Sequence, residues 1–362
     1  MKRSLTFIVT DECNLRCSYC YVRKGSERLS LDVAAKALFL FLNEPRFRDG
    51  ADGCTFDFIG GEPLLEADLI GEILDCAHGM LRGHPWEKNH AAGLTTNGLL
   101  YNTLPVQRLL VTNRCLGVSI TVDGPADVHD AARRFPDGSG SHAQVEENAR
   151  LWLHQFPGPL TSTKFTLSRN TLGQLARSVV YLLCELRVPT VNANPVFEGP
   201  WSDEDAALYE AQLLELGREL LARGIPLDRC NLFGRHVGLP HPRLDDQSWC
   251  GAGKWMLAVD PSGNLYPCNR FAPSGLSHQP PMPCGHVDVG LDFAVLDAFA
   301  ALKRSEQSPP ECLSCEVSGG CAWCKGHDYD ESGSIAKRST SLCLMHKARA
   351  RANRTLWAEA DA

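Results

Sequence analysis

The sequence has 362 residues, of which 44% are hydrophobic and 22% charged, and its formal net charge is −7 at pH 7. These values are ordinary for a globular protein and give no bulk attraction to nucleic acid or to an anionic membrane. No apolar run reaches the length of a membrane span, and Asp11 and Glu12 end the short apolar run near the N-terminus, which excludes a signal peptide. We expect a cytoplasmic protein with neither nucleic acid nor membrane as a partner.

Residues 5–223 alternate β-rich runs with amphipathic stretches, a pattern that indicates an α/β fold with a parallel sheet. The predicted strands are 5–10, 54–59, 93–96, 116–122, 160–168 and 190–195. The predicted helices are 31–42, 67–81, 140–156, 171–186 and 202–223. Ser30, Ser141 and Ser202 stand at three predicted N-caps. Since six such units are fewer than the eight of a closed barrel, we predict a partial (β/α)6 TIM-like barrel rather than an open doubly wound sheet.

A polar cluster follows each predicted strand. Examples are residues 11–20 after the first strand, Gly60-Gly61-Glu62-Pro63 after the second and Asp123-Gly124-Pro125 after the fourth. The carboxyl ends of parallel barrel strands converge on one mouth, so we expect these loops to share one site.

The sequence changes character after residue 226. Proline, glycine and cysteine become frequent and the apolar periodicity fades, until a basic stretch at 342–358 predicts a helix with a solvated face. So few periodic apolar segments would not hold this region together unless metal sites helped. We therefore predict two domains, a barrel over 1–226 and a loop-rich, metal-stabilised domain with a C-terminal helix over 227–362.

The 16 cysteines are unusual in a long chain without an export signal, where closely spaced thiols are better explained as metal ligands than as disulfides. Cys13-x3-Cys17-x2-Cys20 places three thiols in the loop after the first strand. Three ligands are too few for a structural zinc but suit a 4Fe–4S cluster with one iron open to a small chelating molecule. This spacing, with Tyr19 between the second and third cysteines, resembles the signature of the radical S-adenosylmethionine (SAM) superfamily.

Two more segments resemble SAM-binding motifs of that superfamily. The resemblance implies that Gly60-Gly61-Glu62-Pro63 holds the methionine ammonium, and that Ser119 and Arg133 bind the methionine carboxylate. A surface ion pair is the alternative role for Arg133. The resemblance also implies the chemistry, in which an electron delivered to the cluster cleaves SAM and the resulting 5′-deoxyadenosyl radical takes a hydrogen atom from an unactivated C–H bond.

Seven cysteines near the C-terminus occur in an order that resembles the SPASM domain, an extension of radical SAM enzymes that binds two auxiliary 4Fe–4S clusters. Two residues separate Cys321 from Cys324, where the family more often has three. The ligands that the resemblance implies are Cys312, Cys315, Cys321 and Cys343 for the outer cluster, and Cys250, Cys268 and Cys324 for the inner one.

Three clusters, the first with one open iron, need one thiolate more than these motifs supply. Either the inner cluster also has an open iron, or a further cysteine completes it, with Cys284 as the favoured ligand and Cys230 behind it. Asn269 follows Cys268 where relatives that mature sulfatases carry an aspartate base. Because an amide cannot accept a proton at neutral pH, we expect a different reaction and assign no catalytic base.

Enzymes of this architecture mostly modify ribosomally made peptides, so the resemblance implies a precursor peptide as substrate. An oxidative crosslink or ring closure suits auxiliary clusters that can accept the substrate radical's electron, whereas epimerisation needs a hydrogen donor that no residue suggests. A flavodoxin or ferredoxin is the expected electron donor. Because the predicted barrel begins at Leu5, we expect the leader peptide to bind the barrel rim or a separate leader-binding protein.

Two other functions stay open at this point. The first alternative is an enzyme of the same superfamily whose substrate is a small molecule or a cofactor precursor. The second belongs to a different class of protein, a non-catalytic iron–sulfur electron carrier or a zinc scaffold.

Overall fold

The computed structural model describes residues 2–159, 161–199, 201–237, 250–318, 321 and 323–361. The first half of the chain contains parallel strands in the predicted order. They are β1 (Lys2–Thr10), β2 (Gly53–Gly60), β3 (His90–Thr96), β4 (Leu116–Ile120), β5 (Ser162–Leu167) and β6 (Thr190–Pro195). Strands β1 to β4 pair in chain order and β5 pairs with β6. A parallel bridge from Thr121 to Lys164 joins the two sets, which confirms the partial barrel.

Helices connect these strands and cover the outside of the barrel. They are α1 (Leu31–Asn43), α2 (Pro45–Arg48), α3 (Ala67–Leu81), α4 (Leu104–Thr112), α5 (Ala126–Ala132), α6 (His142–Gln155), α7 (Leu175–Val180) and α8 (Asp203–Ala222). The helix predicted at 171–186 is instead divided into a 3-10 turn, α7 and a π turn. Gly173 lies in the 3-10 turn, where its backbone freedom disfavours a continuous α-helix.

The three predicted N-cap serines occupy N-cap positions, but they do not all act as caps. Ser30 accepts a hydrogen bond from the Val33 backbone, and Ser202 forms a reciprocal capping box with Asp205. The Ser141 hydroxyl does not cap α6 and donates to the carbonyl of Arg133 instead. This serine is therefore tied to a predicted site residue rather than to its own helix.

Strand β1 is buried on both faces from Leu5 to Thr10, whereas buried and more exposed residues alternate along β5 and β6. On the helix-covered face of the sheet, Phe7 of β1 stacks on Phe58 of β2 with ring centroids 5.4 Å apart. Phe41 of α1 meets Trp86 at 5.9 Å in the same layer. This continuous apolar core fixes the strand ends from which the functional loops extend.

The C-terminal region continues the barrel sheet and then becomes irregular. Strand β7 (Met256–Val259) pairs in parallel with β1, and β8 (Asn264–Tyr266), β9 (Gly285–His286) and β10 (Gly290–Leu291) add antiparallel. The helices that follow are α9 (Phe293–Ala301), α10 (Arg304–Gln307), α11 (Pro310–Leu313), α12 (Lys325–Ser332) and α13 (Cys343–Asp361). Most of these elements are very short.

Helix α13 confirms the helix predicted at 342–358 and packs against α8. A Cβ atom on Gly217 of α8 would lie 2.3 Å from Leu356, so the two helices touch at this glycine. Arg351 pairs with Glu210 across the same contact, with an N–O distance of 2.5 Å. Among the helices of the described ranges, none combines the length and apolar character needed to cross a membrane.

Candidate active site

A cavity of about 450 Å³ opens at the carboxyl ends of the barrel strands. Its wall brings together the cysteine loop after β1, residues 60–63 after β2, Thr121 after β4, and Asn194 and Pro195 of β6. Residues 269 and 270 of the C-terminal region and Cys324 complete the wall. Of the three loops named from the sequence, residues 11–20 and 60–63 contribute to this wall, whereas Asp123-Gly124-Pro125 does not line it.

The three N-terminal thiols line this cavity as free cysteines. Cys13 is buried and its sulfur accepts a hydrogen bond from the Leu15 backbone at 3.5 Å. Cys20 is exposed, with the Lys24 ammonium 3.2 Å from its sulfur. Burial raises the pKa of both Cys13 and Cys17, which disfavours their thiolates until a bound cation compensates the charge. Three such thiols on one loop fit an iron–sulfur cluster with an open position.

Gly60 and Gly61 allow the cysteine loop to lie directly against the end of β2. The Gly61 N–H donates to the Thr10 carbonyl, and the Glu62 N–H donates to the Glu12 carbonyl, both at 2.8 Å. A Cβ atom on Gly60 would lie 2.3 Å from the Thr10 oxygen, and one on Gly61 would lie 2.1 Å from the Glu12 oxygen. No side chain fits there, so the two glycines set the position of the cysteine loop.

Glu62 is 1% exposed and its carboxylate is the centre of a hydrogen-bond network. It accepts from the Leu64 N–H at 3.0 Å, the Thr96 hydroxyl at 2.7 Å and the Asn97 N–H at 2.8 Å. Burial raises the pKa of Glu62, while these hydrogen bonds act in the opposite direction. A carboxylate has about four acceptor positions, which leaves room for a ligand ammonium at the cavity wall.

Arg133 is 6% exposed, which excludes the surface ion pair considered from the sequence. Its guanidinium donates to the Tyr19 hydroxyl at 2.7 Å, and that hydroxyl donates to Asp123 at 2.5 Å. Arg133 also lies 3.9 Å from the Asp123 carboxylate. Its Nε atom is buried without a partner in the described structure. Because Arg133 also lines the cavity, its guanidinium charge fits an anionic ligand such as the carboxylate of SAM.

His129 supports this network from behind, although the sequence assigned it no role. Its Nδ1 accepts from the Asp123 N–H at 3.3 Å, and its Nε2 lies 3.1 Å from the Ser141 hydroxyl. Burial keeps the pKa of His129 well below its usual range, so the ring is neutral. Since Ser141 donates to the Arg133 carbonyl, the ring must donate to Ser141 from Nε2.

Ser119 does not reach the cavity wall in this structure. Its hydroxyl donates to the Ser162 carbonyl at 2.6 Å, and Thr121 is the residue near the end of the same strand that lines the cavity. Residues two apart on a strand share a face, so Ser119 lies one layer deeper in the barrel than its motif implied.

Lys164 of β5 lines the cavity and was missed from the sequence. Within the described ranges its ammonium has no hydrogen bond or ion pair. Burial first, and then the nearby Arg133, lower the pKa of Lys164. A lysine between the buried Thr163 and Phe165 of a barrel strand is the pattern that could have revealed it.

The predicted ligands of the C-terminal region lie in two adjacent places. Cys312, Cys315, Cys321 and Cys343 line one small cavity together with Arg338. Cys268 lies near Cys250 and Cys324, and burial raises the pKa of its thiol. Cys324 lines both the small cavity of Cys312 and the barrel cavity, so it lies where the two cavities meet.

Cys284 and Cys230 lie apart from the inner group. Both are fully buried in the main apolar core, whereas Cys268 and Cys250 pack in a smaller, separate cluster. The Cys284 N–H donates to the Leu265 carbonyl in the β8 ladder. Leu265 and Tyr266 point to opposite faces of that strand, and Cys284 shares the core with Leu265. The structure thus does not bring the favoured fourth ligand to the inner thiols.

The wall between the barrel and the C-terminal region contains further residues that the sequence did not reveal. The Arg270 guanidinium lies 3.9 Å from the centroid of the Tyr21 ring and 2.6 Å from the Glu198 carboxylate. Asn269 lines the cavity, with its amide 3.4 Å from the Tyr21 hydroxyl. The position of Arg270, two residues after the predicted ligand Cys268, was the available indication for it.

No family model matches the sequence. Several relatives do. A mycofactocin maturase, MftC, of Mycobacterium ulcerans is 27% identical over 336 residues, covering 88% of this chain and 82% of the relative. A cysteine-type anaerobic sulfatase-maturating enzyme of Clostridium perfringens is 31% identical over 150 residues, covering 39% of this chain and 38% of the relative.

Other matches are shorter. An uncharacterised protein of Methanocaldococcus jannaschii is 27% identical over 182 residues, covering 50% of this chain and 58% of the relative. A GTP 3′,8-cyclase of Corynebacterium glutamicum is 41% identical over 100 residues, covering 27% of this chain and 25% of the relative. The chain thus spans less than two thirds of the length of several relatives that it matches.

Two solved structures share the fold along almost the whole chain. Native anSMEcpe with bound AdoMet has a TM-score of 0.75 and 20% identity, covering 99% of each chain. Streptococcus suis SuiB bound to the precursor peptide SuiA has a TM-score of 0.62 and 14% identity, covering 95% of this chain and 76% of the other. In its cysteine motifs, its fold and its relatives, the chain is thus similar to radical SAM/SPASM peptide maturases.

Proposed function

We propose that the barrel cavity binds a 4Fe–4S cluster on Cys13, Cys17 and Cys20 and a SAM molecule beside it. The observation that carries this proposal is that the three thiols share one cavity wall with residues 60–63 and Arg133. When bound, the cluster supplies the electron that breaks the sulfonium C–S bond of SAM, and the adenosyl radical takes a hydrogen atom from the substrate.

The residues of this chain would bind and orient SAM. The remaining acceptor position of Glu62 receives the methionine ammonium, and Arg133 and Lys164 present two positive charges to the carboxylate. Tyr19 and Asp123 hold the Arg133 guanidinium in place, and Thr121 takes the wall position that the motif gave to Ser119. The enclosing strand ends keep water from the reacting atoms.

We propose a ribosomal precursor peptide as the substrate. The support is that the relative matched along most of the chain is a maturase, and that SuiB shares the fold in a structure with a precursor peptide. Asn194, Glu198 and Asn269 line the side of the cavity nearest the C-terminal region and offer amide and carboxylate groups to a peptide. A separate leader-binding protein is a proposed partner.

We propose that the reaction is an oxidative crosslink or ring closure. Asn269 supplies no base of the kind that sulfatase maturation uses. The substrate would lose a hydrogen atom to the adenosyl radical, then one electron to the inner cluster and one proton to solvent, so that a new bond closes. The inner iron–sulfur cluster would be bound by Cys250, Cys268 and Cys324 with one iron open. Cys284 is not available as a fourth ligand because it packs in the main apolar core, apart from these thiols. A flavodoxin or ferredoxin would supply electrons to the first cluster.

A small-molecule substrate is the second candidate. The GTP 3′,8-cyclase match favours it, although that match covers 27% of this chain. The unpaired Lys164 would then meet an anionic group of the substrate rather than SAM.

Co-expression with a short peptide encoded next to the gene, followed by mass spectrometry, tests the peptide proposal. A loss of two hydrogen masses is expected for a crosslink or ring closure, and an unmodified peptide would favour a small molecule. Binding to full-length and leaderless precursor should differ if the leader is recognised.

Anaerobic reconstitution tests the cluster proposal separately. About twelve irons per chain and dithionite-dependent release of 5′-deoxyadenosine are expected for three 4Fe–4S clusters. Stoichiometric zinc without cleavage would support the scaffold instead.

A further inference from the structure

Lys325 is a lysine without a partner in the interior of the C-terminal region. It follows Cys324 directly and is 0% exposed. Its Nζ atom is buried and has no hydrogen-bond partner within the described ranges. A buried ammonium that lacks both water and a partner is strongly unfavourable, so a compensating negative charge is expected beside it.

The charged groups around Lys325 are mainly the inner thiols. Cys250 and Cys268 lie close enough to act electrostatically on its ammonium, as do Lys254 and Asp328. In the described structure, none of the ion pairs includes Lys325, so the Asp328 carboxylate does not neutralise it at close range. The nearest aromatic group is the Phe299 ring, with its centroid 5.4 Å from Nζ. Of these groups the Cys250 thiol acts most strongly on the ammonium, which favours the thiols and what they bind as the anionic partner.

The backbone fixes this lysine in place. Lys325 is the first residue of α12, and Cys324 is the residue before that helix. A Cβ atom on the next residue, Gly326, would lie 2.3 Å from Cβ of Arg270. The first turn of α12 is thus pressed against the segment that carries Cys268, and Lys325 has little freedom to move away from the inner thiols.

We propose that Lys325 is the counter-cation of the inner auxiliary cluster and raises its reduction potential. This inference rests on the proposed cluster at Cys250, Cys268 and Cys324. An oxidised four-iron cluster on three thiolates carries a net negative charge, and each accepted electron adds another. A fixed positive charge without water around it favours the reduced state, as the proposed electron acceptor requires.

The test compares Lys325→Met with Lys325→Arg, in a background where Cys13, Cys17 and Cys20 are alanine so that only the auxiliary clusters contribute. The control is Lys303→Met, a lysine of the same region whose side chain is 58% exposed and pairs with Glu306. Iron content and an EPR-monitored potentiometric titration are the measurements. At a fixed solution potential, Lys325→Met should lower the reduced-to-oxidised ratio of the inner cluster about tenfold, a shift of about 59 mV for one electron. Lys325→Arg and Lys303→Met should leave it close to the parent value.

The outcomes separate the two proposals. Full iron content with an unchanged potential in Lys325→Met would overturn the counter-cation role. Loss of the inner cluster in Lys325→Met but not in Lys325→Arg would support it, since arginine keeps the positive charge that methionine removes. Loss in both variants would overturn it, because lysine would then act through a specific bond. If Cys250→Ala, Cys268→Ala and Cys324→Ala together remove no iron, the cluster assignment itself fails.

Discussion

The barrel and the C-terminal region hold their cysteines by different means. The loop of Cys13, Cys17 and Cys20 begins at the end of β1, a nine-residue strand paired on both sides, and two glycines press it against β2. The C-terminal thiols lie near strands of two to four residues, in or beside the four-residue helix α11, or at the N-terminal ends of α12 and α13. We therefore expect packing to prepare the first site before any metal binds, and the second region to depend on its proposed metal clusters for order.

The strongest test of this contrast removes the first three thiols. Alanine at Cys13, Cys17 and Cys20 should reduce 5′-deoxyadenosine formation to background and remove about four irons per chain. The barrel should keep its circular dichroism spectrum because, although Cys13 belongs to the apolar core and Cys17 packs against it, most of that core comes from other residues. Cys76→Ala on α3 is the matched control and should retain activity. Turnover in the triple variant would refute the proposed radical chemistry.

Removing all iron with a chelator should affect the two regions unequally. We expect hydrogen exchange to increase strongly in α11, α12 and the start of α13, because metal binding and folding are coupled there. Strands β1 to β4 should exchange at the same rate with and without iron. If iron removal changed hydrogen exchange equally in both regions, the proposed difference between them would be wrong.

Gly61→Ala tests whether packing positions the cysteine loop. The new Cβ would lie 2.1 Å from the Glu12 oxygen, and relieving that overlap should cost about 1–3 kcal/mol of unfolding free energy. The control is Gly79→Ala, at an exposed position of α3 with nothing within 4 Å of the new Cβ, which should gain about 0.5–1 kcal/mol. Urea unfolding of both variants measures the difference. If Gly61→Ala left the unfolding free energy unchanged, the cysteine loop would be able to move away from the new side chain.

Arg133→Met should weaken SAM binding without removing the cluster. Loss of a charged hydrogen bond to the carboxylate costs about 1.5–3 kcal/mol, or about ten- to a hundredfold in Kd. Tyr19→Phe removes only the hydroxyl between Arg133 and Asp123 and should cost less, about 0.5–1.5 kcal/mol. Calorimetry under anaerobic conditions gives both values. Equal losses would mean that Tyr19 itself contacts the ligand.

The sequence revealed those parts of the molecule that depend on local pattern. Strand β6 has the predicted bounds and the others were placed within a few residues, because β/α alternation is a short-range property. Helices α4 and α5 were missed, being only nine and seven residues long with no side-chain N-cap. Motif spacing likewise identified the three cysteines and residues 60–63 that line the cavity.

Residues whose position depends on packing between distant segments were not predictable. The depth of Ser119 depends on its contact with Ser162 of the next strand. The separation of Cys284 from the inner thiols depends on which face of β8 it covers. Lys164 and Lys325 belong to no sequence motif. The role of a lysine depends on the groups that the fold places around it, which the sequence does not show.

The parallel pairing of β7 with β1 affects how the chain can be divided. The proposed boundary at residue 226 would separate Ser4 from Met256 and Phe7 from Val259, its partners in that ladder. A fragment ending there would present β1 as an open edge strand rich in buried residues, which invites self-association. Expression of the barrel alone is therefore expected to give aggregates unless a segment equivalent to residues 256–259 is retained.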